Sequence, residues 1–167
     1  MDVNGFKGPN SEARNGKQYD IRSFKVARFS TGCAGVDVDG IGCVYVLPSY
    51  SPIKAGSEEM EKWDPNWTTE KIGDWATSKD NSWAGAKKAC DDIGMSLPDK
   101  SKLKSIYEAG KKDSSLGLPI GFHLWFWSSS ENDAISACGA SFINGDTRGY
   151  NYKYTNDSYY RVLCVGD

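Results

Sequence analysis

Two stretches decide the fold class of this chain: residues 90–98, CDDIGMSLP, and residues 161–165, RVLCV. The first continues a pattern of apolar residues spaced three and four apart, and it stops at Gly94, as the C-terminal end of a helix commonly does. The second is a short apolar run of the kind found in buried strands. Because helical patterns precede strand patterns along the chain, we predict an α+β fold.

Two helices are predicted between residues 80 and 110. The first has Asp80 or Ser82 as its N-cap, and the second has Asp99 as its N-cap and ends at Gly110. The buried face of the first is predicted to consist of Trp83, Ala86, Cys90 and Ile93. The buried stripe of the second is predicted to consist of Leu103, Ile106 and Tyr107.

Short strands are predicted after the helices, at residues 124–128, 140–143, 150–154 and 160–165, with Asn144-Gly145 as a hairpin turn. Trp125 and Trp127 alternate with Phe126, so one face of this strand should be core, and the two tryptophans share a face unless a bulge intervenes. In the third strand, Tyr150, Tyr152 and Tyr154 alternate with Asn151 and Lys153, so the three tyrosines share one face. Either that face is exposed and marks a contact site, or the tyrosines pack against the helices with their hydroxyls at the rim.

The N-terminal part of the chain has a different character. Residues 1–52 are predicted to be strands and turns, with strands at 21–29 and 44–47. Cys33 and Cys43 flank a short glycine-rich loop, and we predict that a disulfide closes it. Residues 51–79 are polar and rich in tryptophan, and we predict that Trp63, Trp67 and Trp75 fill gaps between the two halves of the chain.

Composition excludes several classes of function. The net charge of -2 offers no basic face, so nucleic acid is not expected as a partner. With one histidine, His123, and no Cys-x-x-Cys pair, a zinc site is not expected. The five cysteines instead predict disulfides and an oxidising compartment, with one thiol left over.

The two opening stretches, together with Trp127-Ser128-Ser129 and the Phe142-x-x-Gly145 spacing, resemble bacterial surface domains with the C-type lectin fold. The resemblance covers residues 83–165. It implies that the helix cysteine pairs with the last-strand cysteine, giving Cys90–Cys164. Cys138 stands where many relatives have an aromatic residue, so it becomes the odd thiol.

A second resemblance concerns residues 2–10, DVNGFKGPN, followed by Tyr19-Asp20 and Phe24. This region is similar to the part of type IV pilin-like proteins that follows the membrane helix. The resemblance implies a pilin-like segment over residues 1–60 and a C-type-lectin-fold domain over residues 61–167. It also implies other pilus subunits as partners, and contact with a membrane only through an N-terminal helix that has been removed.

The C-terminal run is rich in Tyr, Asn, Ser, Asp and Gly, a mixture that antibody loops also use for binding. We therefore expect an extracellular adhesion protein, associated with a pilus or the cell surface, that binds a protein or glycan ligand through its last strands and loops. In some proteins with this fold, retroelements diversify such positions by randomising adenines. The expected ligand-binding residues are Asn132, Asp133, Cys138, Asn144, Asp146, Arg148, Tyr150, Tyr152, Tyr154, Asn156 and Tyr159.

Other functions are weighed against this one. Glu131-Asn132-Asp133 supplies oxygen ligands that suit calcium, but a solvated polar turn is the simpler interpretation, and no cofactor is expected. His123 is expected to be structural or at the surface, so no catalytic triad is predicted and the chain is not expected to be an enzyme. The alternatives are a structural pilin-type subunit without a ligand, and an enzyme of the fold's oxidase branch, which would need a second cysteine or a metal near Cys138.

Overall fold

The computed structural model describes residues 33–155 and 160–166. The predicted strand at 21–29, most of the pilin-like segment, Asn156 and Tyr159 lie outside the described residues. The chain divides into two compact units, Met1–Gly35 and Val36–Asp167, and the helices and strands given below belong to the second. None of the helices in the described part is long and apolar enough to cross a lipid bilayer.

Helices and strands both contribute to the second unit, so the α+β class is correct. The helices are α1 (Glu59–Trp63), α2 (Thr69–Thr77), α3 (Ser82–Asp92) and α4 (Lys100–Lys112), followed by a 3₁₀ turn at Ser114–Leu116. The strands are β1 (Val36–Val38), β2 (Gly42–Val46), β3 (Trp125–Glu131), β4 (Ser136–Ser141), β5 (Tyr150–Tyr152), β6 (Tyr160–Arg161) and β7 (Leu163–Val165).

The strands form two sheets. One has the order β1-β2-β7 and is antiparallel throughout, with Val44 opposite Val165. The other has the order β5-β4-β3-β6, in which only the β3–β6 pair is parallel. The single strand predicted at 160–165 is thus two short strands in different sheets, separated by the buried residue Val162.

The pairing of β2 with β7 explains where the second unit begins. Residues 42–46 bond to the last strand of the chain, so they belong to the C-terminal unit. The boundary lies after Gly35, whereas the sequence prediction placed it after residue 60.

In the described part of the chain, the core contains two large clusters of buried side chains and a smaller one around Trp67. Phe126 and Trp127 are neighbours on β3 but belong to different clusters, because successive side chains of a strand point to opposite faces. Trp125 and Trp127 both contact the Tyr160 ring, so they share a face as predicted. α3 contributes Trp83, Ala86 and Cys90 to the Trp127 cluster, and α4 contributes Leu103, Ile106 and Tyr107 to the Phe126 cluster.

The ends of the two long helices are set by local hydrogen bonds. Asp99 caps α4 as predicted, accepting a bond from the Lys102 backbone N at 2.7 Å. The cap of α3 is Asn81, which accepts from the Ala84 backbone N at 2.8 Å; the predicted caps Asp80 and Ser82 are wrong. α4 also runs on to Lys112, past the predicted end at Gly110.

Ile93 is exposed rather than buried with the rest of the predicted α3 face. The helix ends at Asp92, and Ile93 leaves the helical conformation at the C-cap, so its side chain is no longer in line with Cys90. Gly94 then takes a positive φ of 73°, which glycine adopts at little cost. The end of the helix before Gly94 was therefore predicted correctly, but the burial of Ile93 was not.

A disulfide joins Cys90 of α3 to Cys164 of β7, with the two Cα atoms 5.4 Å apart. Both cysteines are fully buried in the Trp127 cluster. Cys33 and Cys43 are also disulfide-bonded, and Cys138 is free. These disulfides indicate an oxidising environment for the folded protein.

Gly85 permits the close approach of α3 to the segment at Ser51-Pro52. A Cβ atom at residue 85 would overlap the Ser51 carbonyl oxygen and lie 2.7 Å from the Pro52 Cα. Only glycine fits this contact without movement of one backbone. The contact fixes residues 51–53 beside the start of α3, where Ile53 also bridges to Asn81.

Candidate ligand-binding surface

The tyrosine-bearing strand β5 is the outermost strand of its sheet in the part of the chain that the structure describes. It pairs antiparallel with β4, with Cys138 opposite Tyr150 and Ser136 opposite Tyr152. The connection between β4 and β5 is a loop of residues 142–149. Asn144-Gly145 lies inside this loop, so the two strands form the predicted hairpin, but through a loop longer than a two-residue turn.

The tyrosines of this region lie at the surface. Tyr150 is 60% exposed and Tyr152 is 50% exposed, whereas Tyr154 is half-buried. The rings of Tyr152 and Tyr154 stack with their centroids 5.2 Å apart and their planes at 4°. Of the two interpretations left open by the sequence, the exposed face therefore applies to Tyr150 and Tyr152.

Trp75 of α2 extends this group of rings. It is 65% exposed and meets Tyr154 edge to face, with the centroids 5.5 Å apart. Lys79, about one turn further on, places its Nζ 4.7 Å from the Trp75 ring centroid and 5.7 Å from that of Tyr154. We refer to Trp75, Tyr150, Tyr152 and Tyr154 as the aromatic surface.

Sequence reasoning missed Trp75, because all three tryptophans of residues 51–79 were predicted to fill gaps. Trp67 is buried with Met60, Ile53 and Ala84, and Trp63 packs against the same cluster, so both belong to a core within the second unit. Trp75 is instead exposed. Its helix was not predicted, so the turn-spaced Trp75 and Lys79 were not recognised as neighbours.

Lys153 lies between Tyr152 and Tyr154 in the sequence, but its side chain is completely buried. Its Nζ donates to Asp64 Oδ2 at 3.0 Å, to Glu131 Oε2 at 2.6 Å and to the Ala134 carbonyl at 3.0 Å. The Trp83 ring centroid lies 4.4 Å from the same nitrogen. We call Lys153, Asp64 and Glu131 the lysine cluster, which holds the tyrosine segment onto the domain.

The two carboxylates of the lysine cluster have further donors. Asp64 accepts from Asn81 Nδ2 at 2.8 Å and from the Asn66 backbone N at 3.2 Å. Asn66 Nδ2 also donates to Glu131, at 3.1 Å from Oε2. Burial alone would raise the pKa of Glu131, but the hydrogen bonds and positive charge that it receives, chiefly from Lys153, lower this pKa overall.

Asn132 and Asp133, predicted as ligand-binding residues, shape the turn between β3 and β4. Asp133 Oδ1 accepts from the backbone N of Ile135 and of Ser136, at 3.0 and 2.8 Å, and from Ser136 Oγ at 2.7 Å. These bonds, led by the one from the Ser136 hydroxyl, lower the pKa of Asp133. Within residues 33–155 and 160–166, no three His, Cys, Asp or Glu side chains cluster as a metal site would require.

The loop between β4 and β5 carries three more of the predicted residues. Asn144 Oδ1 accepts from the Asp146 backbone N at 2.9 Å, and Asp146 forms an ion pair with Arg148 at 3.1 Å. The hydrogen bonds from Arg148 lower the pKa of Asp146. The Arg148 side chain is exposed, so this ordered loop presents charge beside the strand that bears Tyr150.

Cys138 was predicted to bind ligand, but its side chain is buried. All of β4 is buried, because one face packs into the Trp127 cluster through Ala137 and the other into the Phe126 cluster through Ala140. All five cysteines lie in the described part, and the other four are in disulfides, so Cys138 has no free thiol with which to pair. His123, in contrast, is exposed.

Comparisons of the chain with protein-family models, with curated proteins and with solved structures find no match. The protein's own surface is therefore the guide to its function.

Proposed function

We propose that this chain is an extracellular adhesion protein, associated with the bacterial surface or a pilus, that binds its ligand through the aromatic surface. The observation that carries the proposal is a continuous set of rings in which half-buried Tyr154 contacts both exposed Trp75 of α2 and exposed Tyr152 of β5. Exposed apolar groups of this kind commonly mark binding sites.

We propose that the second unit has the C-type lectin fold implied by the sequence resemblance. Three features support this. The helices α3 and α4 lie directly before the four-stranded sheet in the chain, a disulfide ties α3 to the last strand, and the early strand β2 pairs with that last strand.

The composition of the surface favours a protein as the ligand. Tyrosine and tryptophan give large, rigid contacts at low entropic cost, and neighbouring Asn, Asp and Arg side chains give adaptable polar contacts. Asn144 and Arg148 are exposed on the loop that leads into β5. A glycan is the other ligand class that stacks on exposed rings, so an experiment must distinguish the two.

We also propose that the exposed positions around β5 are diversified by a retroelement. Asn132, Asp133, Asn144, Tyr150 and Tyr152 are exposed, so they can vary without leaving a cavity in the core. The expected sign is a near-repeat of the coding segment beside a reverse transcriptase gene, and its absence would contradict this part of the proposal.

Binding is tested by probing arrays of extracellular proteins and of glycans with the labelled domain. We expect a signal on the protein array that is lost in the Tyr152→Ala variant and kept in Phe122→Ala, which removes an exposed ring outside the aromatic surface. A signal on the glycan array alone would change the ligand class. Signals that survive Tyr152→Ala would contradict the proposed surface.

A further inference from the structure

The lysine cluster brings an amine and two carboxyl groups together inside the domain. Lys153 and Asp64 are 0% and 1% exposed, whereas the Glu131 side chain is 34% exposed. Keeping opposite charges in a buried pair carries a large desolvation cost. Two carboxylates face the Lys153 ammonium, and the Lys87 ammonium lies close enough to act on both of them.

We propose that Lys153 and Asp64 condense to form an intramolecular isopeptide bond, with Glu131 carrying the protons. The amine nitrogen lies 3.0 Å from Asp64 Oδ2, so it is close to the carboxyl carbon that it must attack. Holding the reactants together in this way replaces a bimolecular encounter with an intramolecular step.

The roles of the two carboxylates follow from burial and contacts. Asp64 is the acceptor because it is fully buried with Lys153, and an amide there removes two buried charges. Glu131 is the proton carrier because its hydrogen bond to the amine, at 2.6 Å, is the shortest in the cluster. Glu131 can keep its own charge afterwards, since it is partly exposed.

The reaction needs no co-reactant. The Lys153 ammonium gives one proton to Glu131, which passes it to an oxygen of Asp64. The free amine then attacks the Asp64 carboxyl carbon, and the C–N bond forms. A second proton moves from the nitrogen through Glu131 to the leaving hydroxyl, which departs as water when the C–O bond breaks. The nitrogen keeps one hydrogen, and Glu131 returns to its carboxylate form.

Neighbouring donors are placed to stabilise the tetrahedral intermediate. Asn81 Nδ2 and the Asn66 backbone N already donate to Oδ2 and Oδ1 of Asp64, at 2.8 and 3.2 Å. Such donors stabilise the negative charge that develops on a carboxyl oxygen during acyl transfer. The Trp83 ring, 4.4 Å from Nζ, limits the access of water to the amine.

The bond would connect the segment after α1 to the segment that carries Tyr152 and Tyr154. It would span residues 64 and 153 and close a long loop, which restricts the unfolded chain. It therefore goes beyond ligand binding, since residues 64 and 153 would stay joined when the domain unfolds.

Mass spectrometry of the folded, purified protein tests this proposal. After reduction and denaturation, we expect an intact mass lower than the sequence mass by one water molecule. Trypsin should fail to cleave after Lys153, and residues 63–71 should be recovered linked to residues 149–161. Lys153→Met and Glu131→Gln should have their full masses, and Lys71→Gln, which removes an exposed lysine that contacts Asn66, should still lose water.

The wild-type protein alone decides the outcome, even where a variant fails to fold. A folded wild-type chain with the full sequence mass, stable over days, would overturn the proposal. So would a loss of water that maps to a succinimide at Asp39-Gly40 instead of to the linked peptides.

Discussion

The indole ring of Trp75 lies edge to face against the phenol ring of Tyr154, with 5.5 Å between the ring centroids. This contact joins α2, in the first half of the unit, to the C-terminal segment that carries the exposed tyrosines. The proposed binding surface is therefore built from two distant parts of the sequence, and its rings support one another.

Removing Trp75 should weaken binding more than it weakens the fold. Because Trp75 is mostly exposed, Trp75→Ala should lower the free energy of unfolding by about 0.5–1.5 kcal/mol, the value of one aromatic pair. Urea unfolding measures this change. A loss above about 3 kcal/mol would show that Trp75 is part of the core, as Phe and Trp truncations there usually cost that much.

The Cys90–Cys164 disulfide should be a major source of stability. Its cysteines are 74 residues apart, and closing a loop of that size contributes about 4 kcal/mol by chain entropy. The double variant Cys90→Ala with Cys164→Ala should lose roughly this much in urea unfolding, whereas Cys138→Ala, with the disulfides intact, should lose much less. Equal losses of unfolding free energy in the two variants would contradict the stabilising role of the Cys90–Cys164 disulfide.

The free thiol of Cys138 should be protected. Because the Cys138 side chain is buried on β4, its thiol should react slowly with a disulfide-exchange reagent in the native protein and at once in denaturant. The reagent should label one thiol per chain. Fast and complete labelling of the native protein would mean that Cys138 reaches the surface, as the sequence alone suggested.

Gly85→Ala should destabilise the domain. The added Cβ would overlap the Ser51 carbonyl, and overpacking of this kind costs about 1–3 kcal/mol. Lys88→Ala is the matched control, because Lys88 belongs to the same helix and its ion pair with Asp92 is solvent-exposed. The midpoint of thermal unfolding should fall in the first variant and stay close to wild type in the second.

Acid should loosen the turn at Asp133. The pKa of this carboxyl is lowered in the folded protein, first by the Ser136 hydroxyl, so its stabilising effect is complete above the unfolded pKa near 3.8. That effect disappears as the pH falls through the folded pKa. Stability measured from pH 6 to pH 2 should therefore fall less steeply in Asp133→Asn than in wild type. Identical pH profiles would show that Asp133 does not contribute.

Local patterns predicted one part of this structure and could not predict the rest. Asp99, Gly94 and the buried residues of α4 follow from signals within one helical turn, so α3 and α4 were found. α1 and α2 are short and polar, and their positions depend on packing against the rest of the domain. Lys153 and Asp64 are 89 positions apart in the sequence, so no local pattern indicates that they pair. The pattern around Lys153 indicates only a polar residue that alternates with the tyrosines.

The most direct test of the binding surface compares three labelled proteins on one array of extracellular proteins and glycans. The proteins are wild type, the double variant Trp75→Ala with Tyr152→Ala, and the control Phe122→Ala, each first shown to unfold cooperatively. We expect the wild type and the control to give the same signals, and the double variant to lose them. Retention of those signals by the folded double variant would contradict the proposal that the aromatic surface binds the ligand.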